Sequence, residues 1–319
     1  MGLHAGVVLQ SGGPIADVLR AVESVGVPVQ LLLQFADRFA FIVLAAIGLA
    51  IIFGMMGVIN LAHGEFIMIG AYGTTLTANA TGMPLPAAIL VGALVTAAFG
   101  FAVERTIVQW LYDRLFDSMV ATFGLGLILV EGVRYYFGDS LPSVGTPFGA
   151  VPGYTYPAYR VFLAAIAVAL LVAAYLVFTR TKFGIRARAT IQDPETARAM
   201  GVDTDRMNTA TFVIGSGLAG LTGGLYAPSI PIQPGMGESF LIESFVAVVV
   251  GGGSVLVGTV LSGGLLGSVS AAVSFAYTTF WGQIAMLVTA ILIIRLLPDG
   301  LTGLLDSVRD RLGVSDFGS

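Results

Sequence analysis

Three polar side chains stand close together in a stretch otherwise fit for hydrocarbon: Asn60, His63 and Glu65, inside GMMGVINLAHGEF at 54–66. An amide and an imidazole three positions apart share one face of a helix. There they could hydrogen-bond a small zwitterion or amide, or one another. Polar groups at membrane depth are costly and mark functional sites by default; tying two helices together is the competing use. Glu243, in GESFLIESF at 237–245, is a fourth candidate for the same pathway, although snorkelling to the interface is the ordinary expectation for it and for Glu238. Enzymatic chemistry is poorly supplied. The chain has no cysteine, no serine spaced from His63 and Glu65 as in a triad motif, and two histidines, His4 and His63, too far apart in sequence for a histidine metal site. No catalytic or metal-ligating residue is assigned.

Composition says what kind of element must position these groups. With 56% hydrophobic and 11% charged residues and a mean hydropathy of +0.91, the chain is too apolar for a soluble domain, where charged residues approach about a quarter. Its 319 residues accommodate roughly eight spans of about 20 residues with short loops. The expected fold class is therefore an all-α polytopic membrane protein. Lys182 is the single lysine among 15 basic residues, which leaves no basic patch for nucleic acid.

Apolar runs predict spans at 35–53, 65–79, 87–107, 119–137, 159–178, 207–226, an interrupted stretch at 240–275, and 281–297. Residues 1–34 are more polar, without the basic start and compact apolar core of a signal peptide. They read as an extracytoplasmic segment with a short helix over 15–25, or as a poorly ordered terminus. The charged loop at 179–206 holds Arg180, Lys182, Arg186, Arg188, Arg198 and Arg206 and belongs in the cytoplasm by the positive-inside bias, whereas 138–158 has no Lys or Arg and suits the outside. Keeping the 305–319 tail, with Arg309 and Arg311, in the cytoplasm forces 240–275 to go in and come back out. Gly251, Gly252 and Gly253 mark the reversal. The corresponding break in the first half carries Gly54, Gly57 and Gly64. Paired glycine-broken segments of this kind predict an internal pseudo-repeat and point to a transport pathway between the halves.

Within the cytoplasmic loop, Asp193 can cap a helix over 194–200 with Pro194 at its first position, ended by Gly201. Asp203 and Asp205 then introduce the next span. A capped helix flanked by arginines reads as a docking element, against the plainer reading of a loop made basic only by topology. Small-residue spacings at Gly220 with Gly224 and Gly263 with Gly267 predict close helix packing, and Glu131 should pair with Arg134.

At these residues the chain resembles the permease family of branched-chain amino acid ABC importers, whose relatives also carry urea and short-chain amides. Three stretches bear the likeness: GLAIIFGMMGVINLAHGEFIMIGAY at 48–72, RATIQDPETARAMGVDTDRMNTATFVIGSGLAGLTGG at 188–224, and FLIESFVAVVVGGGSVLVGTVLSG at 240–263. The resemblance covers 35–304 and implies a transport domain there with no ATPase of its own; the chain indeed lacks a G-x-x-x-x-G-K-[ST] phosphate loop. It further implies two ATP-binding subunits, holding ATP and Mg, docked at Arg188, Asp193, Pro194, Glu195, Ala197 and Gly201. A second homologous permease, an extracytoplasmic substrate-binding protein and an inner-membrane location complete the implied assembly. GESFLIESF leans toward the urea and amide branch. The competing class is an ion-coupled secondary transporter with Glu65, Glu104 or Glu243 carrying a proton.

Overall fold

The computed structural model describes residues 14–112 and 114–304, with side chains from residue 28 onward except that of residue 255. The tail at 305–319 and the first residues of the 1–34 segment lie outside the described residues. Eleven α-helices and one 3-10 turn make up the described chain: α1 (Pro14–Met56), α2 (His63–Thr81), α3 (Leu85–Thr106) followed by the turn at Val108–Trp110, α4 (Leu115–Phe137), α5 (Ala158–Arg180), α6 (Lys182–Gln192), α7 (Pro194–Ala199), α8 (Thr204–Tyr226), α9 (Gly237–Gly251), α10 (Val255–Ala276) and α11 (Thr279–Leu296). No strand occurs among the described residues, only two isolated bridges, Leu141 with Ile232 and Ala150 with Pro157. Six of these helices are long and apolar enough to cross a bilayer. The fold is all-α and polytopic, as its composition requires.

Two elements differ from the sequence expectation. The short helix at 15–25 is the beginning of α1, which continues through Pro28. Proline deletes one donor and one intrahelical bond but leaves the turns on either side intact. In addition, 182–192 is helical rather than loop. Thr181 caps it by accepting the Gly184 N–H at 3.2 Å, and buried Gly184, Ala187 and Thr190 form its inward stripe.

The centre of the molecule is α1. Of its most apolar window 72% is buried, against 17% in α4 and in α11, which lie at the periphery of the chain. Helices α2 and α8 pack against each other and against α3 to complete the inner layer. Burial from water supplies no drive between helices in a bilayer, so close backbone packing must do so. Glycines provide it here: a Cβ on Gly70 would sit 2.1 Å from the Gly220 carbonyl oxygen, and one on Gly223 would sit 1.8 Å from that of Ile67. The predicted small-residue faces are contact faces, with Gly224 over Thr74 and Ile89 of the neighbouring helices, and Gly263 and Gly267 over Val43 and Phe39 of α1. Many of the hydroxyls in the spans bond to their own or a neighbouring helix, as Thr222 donates to the Leu44 carbonyl at 2.7 Å. Glu131 and Arg134 form the expected ion pair, at 2.5 Å.

Candidate functional site

Between α1 and α2 the chain leaves helical geometry at 57–62. Gly57 initiates the break at φ +63°, and a Cβ at that position would meet nothing within 4 Å, so glycine is needed there for conformation rather than space. Irregular backbone at this depth has to be satisfied inside the protein. Asn60 Oδ1 accepts the Ala62 N–H at 3.0 Å, and the Leu61 N–H donates to Thr122 Oγ1 of α4 at 3.0 Å. Thr122 in turn donates to the Ser118 carbonyl at 2.7 Å. His63 lies with Nε2 2.9 Å from the Ala45 carbonyl of α1. A carbonyl only accepts, so Nε2 carries the proton and Nδ1 is left as an acceptor.

Asn60, His63 and Glu65 are 1%, 0% and 8% exposed, and each retains an atom without a protein partner: Asn60 Nδ2, His63 Nδ1 and Glu65 Oε2. Leaving such a group unpaired costs about 1–3 kcal/mol. One donor and two acceptors thus stand at or just beyond a helix break without protein partners.

What closes over this break is α4, a span whose sequence suggests no function of its own. Its inward stripe is Ser118, Thr122 and Gly126, while Phe116, Val120, Phe123 and Ile128 are exposed. A Cβ on Gly126 would lie 3.3 Å from Glu65 Oε2, so the helix passes directly over that carboxylate. The four-residue spacing of small residues is the sequence signal that could have found it.

The second break separates α9 from α10. Gly252 has φ +84°, and Thr302 donates to the Gly251 carbonyl at 3.1 Å. This break and the last turn of α1 line one cavity of about 230 Å3, with Phe53, Gly54, Gly252, Gly253 and Gly258 among its walls. The glycines expected as hinges thus divide by role. Gly57 and Gly252 have left-handed backbone. Gly54 lies within α1, where it lines the cavity, and Gly64 and Gly251 serve close approach, to Gly237 and Gly258 respectively. Gly253 lines the cavity without crowding any neighbour.

Glu243 does not snorkel. It is 4% exposed on α9, because the α9 face that carries it packs on α1, and its electrostatic neighbours are Arg38 and Asp37. Glu238, at the start of α9, is exposed. Glu104 is buried at the C-terminal end of α3, where it accepts from the Tyr112 hydroxyl and lies 3.8 Å from Arg105. Burial, reinforced by that carboxylate, pushes the Tyr112 hydroxyl up.

Helix α7 is fixed at both ends. Asp193 accepts the Thr196 N–H at 2.9 Å and the Thr196 hydroxyl at 2.5 Å, bonds that hold its carboxyl below the usual aspartate range. At the other end Gly201, at φ +85°, donates to the Arg198 carbonyl at 2.9 Å and Val202 to that of Ala197 at 3.0 Å. This is a Schellman closure. Ala197 is the buried side of the helix, while Pro194, Glu195, Arg198 and Met200 point outward. Arg188, on the preceding helix α6, lines a cavity of about 350 Å3 together with Gly54 and Gly253. Helix α6, which leads into α7, thus adjoins the end of α1 and the second break.

Residues 31–297 match the family described as the branched-chain amino acid transport system permease component. The chain belongs to this family. It is 30% identical over 278 residues to the high-affinity branched-chain amino acid transport system permease protein LivH of Escherichia coli (strain K12), covering 82% of this chain and 90% of the relative. BraD of Pseudomonas aeruginosa, a permease of the same description, is 27% identical over 279 residues, with 82% and 91% covered. A guanosine ABC transporter permease of Bacillus subtilis, NupQ, shares 26% over 201 residues, covering 56% of this chain and 60% of its own. No solved structure gives a significant match. The chain is thus a multi-pass inner-membrane transport component rather than an enzyme, and both breaks and α7 fall within the matched region.

Proposed function

We propose that this chain lines the translocation pathway of an ATP-driven importer for branched-chain amino acids or related small polar solutes, urea and short-chain amides included. The supporting observation is the set of unpartnered, buried Asn60, His63 and Glu65 atoms at a helix break beside α4, within a permease-family chain. Family membership brings ATP-binding components, a substrate-binding protein and a further permease. In our reading there are two ATP-binding subunits, which hold ATP and Mg, and they dock on α7 and its flanks from Arg188 to Gly201. The substrate-binding protein delivers solute at the outer loops, and a second homologous permease closes the pathway.

The mechanism follows from the neighbourhood of α6, α7 and the second break. Closure of the ATP-binding subunits displaces α7, whose caps transmit force at both ends. Arg188 carries the movement to the cavity at Gly54 and Gly253, and the glycine breaks absorb it. ATP then shifts the population between inward-open and outward-open states by binding one of them better. Solute passes the polar break, where the Asn60 amide and His63 Nδ1 replace part of its hydration.

Uptake of labelled leucine, urea and acetamide by proteoliposomes holding the chain with its partner subunits tests this. Asn60→Leu or His63→Gln should lower uptake at least about tenfold, the loss of one or two hydrogen bonds to solute, with the complex still assembling. Uptake by the chain alone, driven by a proton gradient and indifferent to ATP, would establish the ion-coupled alternative instead.

A further inference from the structure

A cavity of about 160 Å3 lies on the outer side, between α1, the start of α5 and the end of α10, walled by Gln34, Asp37, Arg38, Tyr156, Arg160 and Ser274. Asp37 is 7% exposed. Its Oδ2 accepts from Arg160 at 3.0 Å and from the Tyr156 hydroxyl at 2.9 Å, which leaves Oδ1 without a partner among the described residues. Gln34 Oε1 and Ser274 Oγ are also buried and unpartnered. Arg38 makes no ion pair among the described residues. The cavity thus presents a guanidinium without an ion pair, with buried Glu243 as an electrostatic neighbour, and three oxygens without hydrogen-bond partners.

One turn further in, on the same face of α1, Phe41 stacks on Phe240 at 4.5 Å and meets Tyr226 edge-on at 5.2 Å. Tyr226 and Phe240 themselves meet at 5.5 Å. Three helices, α1, α8 and α9, so pack an aromatic cluster beyond the cavity wall, with Tyr226 and Phe240 buried, and none of its rings lines the cavity.

We propose that this cavity is an outer subsite for a zwitterionic α-amino acid. Arg38 takes the carboxylate, while Asp37 Oδ1, Gln34 Oε1 and Ser274 Oγ take the ammonium. A guanidinium without an ion pair, set across a cavity from three oxygens free to accept, selects a ligand with a negative and a positive end; a neutral amide would leave the guanidinium unanswered. The subsite rests on the importer reading and narrows it from small polar solutes to zwitterions.

The test uses the purified complex of this chain with its permease and ATP-binding partners, without the substrate-binding protein, titrated with labelled L-leucine. Binding should be displaced by L-valine and resist leucinamide, 4-methylpentanoate and urea, which lack one or both charged ends. Arg38→Gln should weaken it about tenfold or more, the effect of losing one charge-assisted contact, and Arg38→Lys should restore most of it. Should Arg38→Gln fail to assemble, Ser274→Ala decides instead, with several-fold weaker binding expected. The subsite is overturned by no leucine binding to the wild-type complex, by wild-type affinity in the deciding variant, or by displacement with urea as effective as with valine. Those results leave the importer reading standing as long as the full system still imports leucine, urea or acetamide; that reading fails only when the full system imports none of them.

Discussion

Substituting Gly64 with alanine should force α2 and α9 apart. A Cβ at that position would lie 2.2 Å from the Gly237 carbonyl oxygen, 2.7 Å from its carbon and 3.1 Å from Leu241 Cβ. Ordinary contact begins above about 3.4 Å, and backbone cannot swing aside as a side chain does. The two helices must therefore separate by roughly an ångström, and overpacking of this kind costs about 1–3 kcal/mol. The upper end applies, since both partners are main chain. Gly237→Ala meets the reciprocal obstruction, 2.3 Å from the Gly64 carbonyl oxygen, so each variant alone should lose about 3 kcal/mol. The double variant should lose much less than the sum, because one displacement accommodates both methyl groups and neighbouring sites do not add. Denaturant or thermal unfolding of the detergent-purified chain, followed by intrinsic fluorescence, measures all three losses. Wild-type stability in Gly64→Ala, or strict additivity in the double variant, would refute the contact between α2 and α9.

Two further outcomes follow from the same geometry. Thr122→Val keeps shape but leaves the Leu61 N–H without its acceptor, so it should cost about 1–3 kcal/mol, with Thr122→Ser close to wild type in the same unfolding assay. Asp193→Ala removes the N-cap of α7 and should uncouple ATP hydrolysis from uptake while leaving the complex assembled; fully coupled transport in this variant would remove α7 from the docking role. The folded Asp193 carboxyl lies below its ordinary value of 3.8, so the cap is complete above that value and is lost only as pH falls through the lowered one. Coupling should accordingly be flat from neutral pH down to about pH 5.

Much of this protein was legible in its sequence because lipid restricts the choices. Apolar runs set the order of the long helices, since backbone in hydrocarbon must be helical. Asp193, Pro194 and Gly201 announced a short capped helix because capping is local chemistry, complete within ten residues. Asn60 and His63 were visible as polar groups in an apolar run.

Tertiary structure decided the contacts that join distant segments. Thr122 reaches Leu61 across 61 positions, Asp37 is held by Tyr156 and Arg160 across 119 and 123, and Gly64 rests on Gly237. Nothing in a span records which neighbour it will face. The same hydrophobicity serves lipid and helix alike, so Glu243 could be placed at an interface by composition although packing against α1 buries it. Whether a glycine in this chain turns the backbone, as Gly57 does, or admits another helix, as Gly64 does, depends on what lies across from it. Sequence determined which segments enter the membrane; only their packing determined which polar atoms were left there without partners.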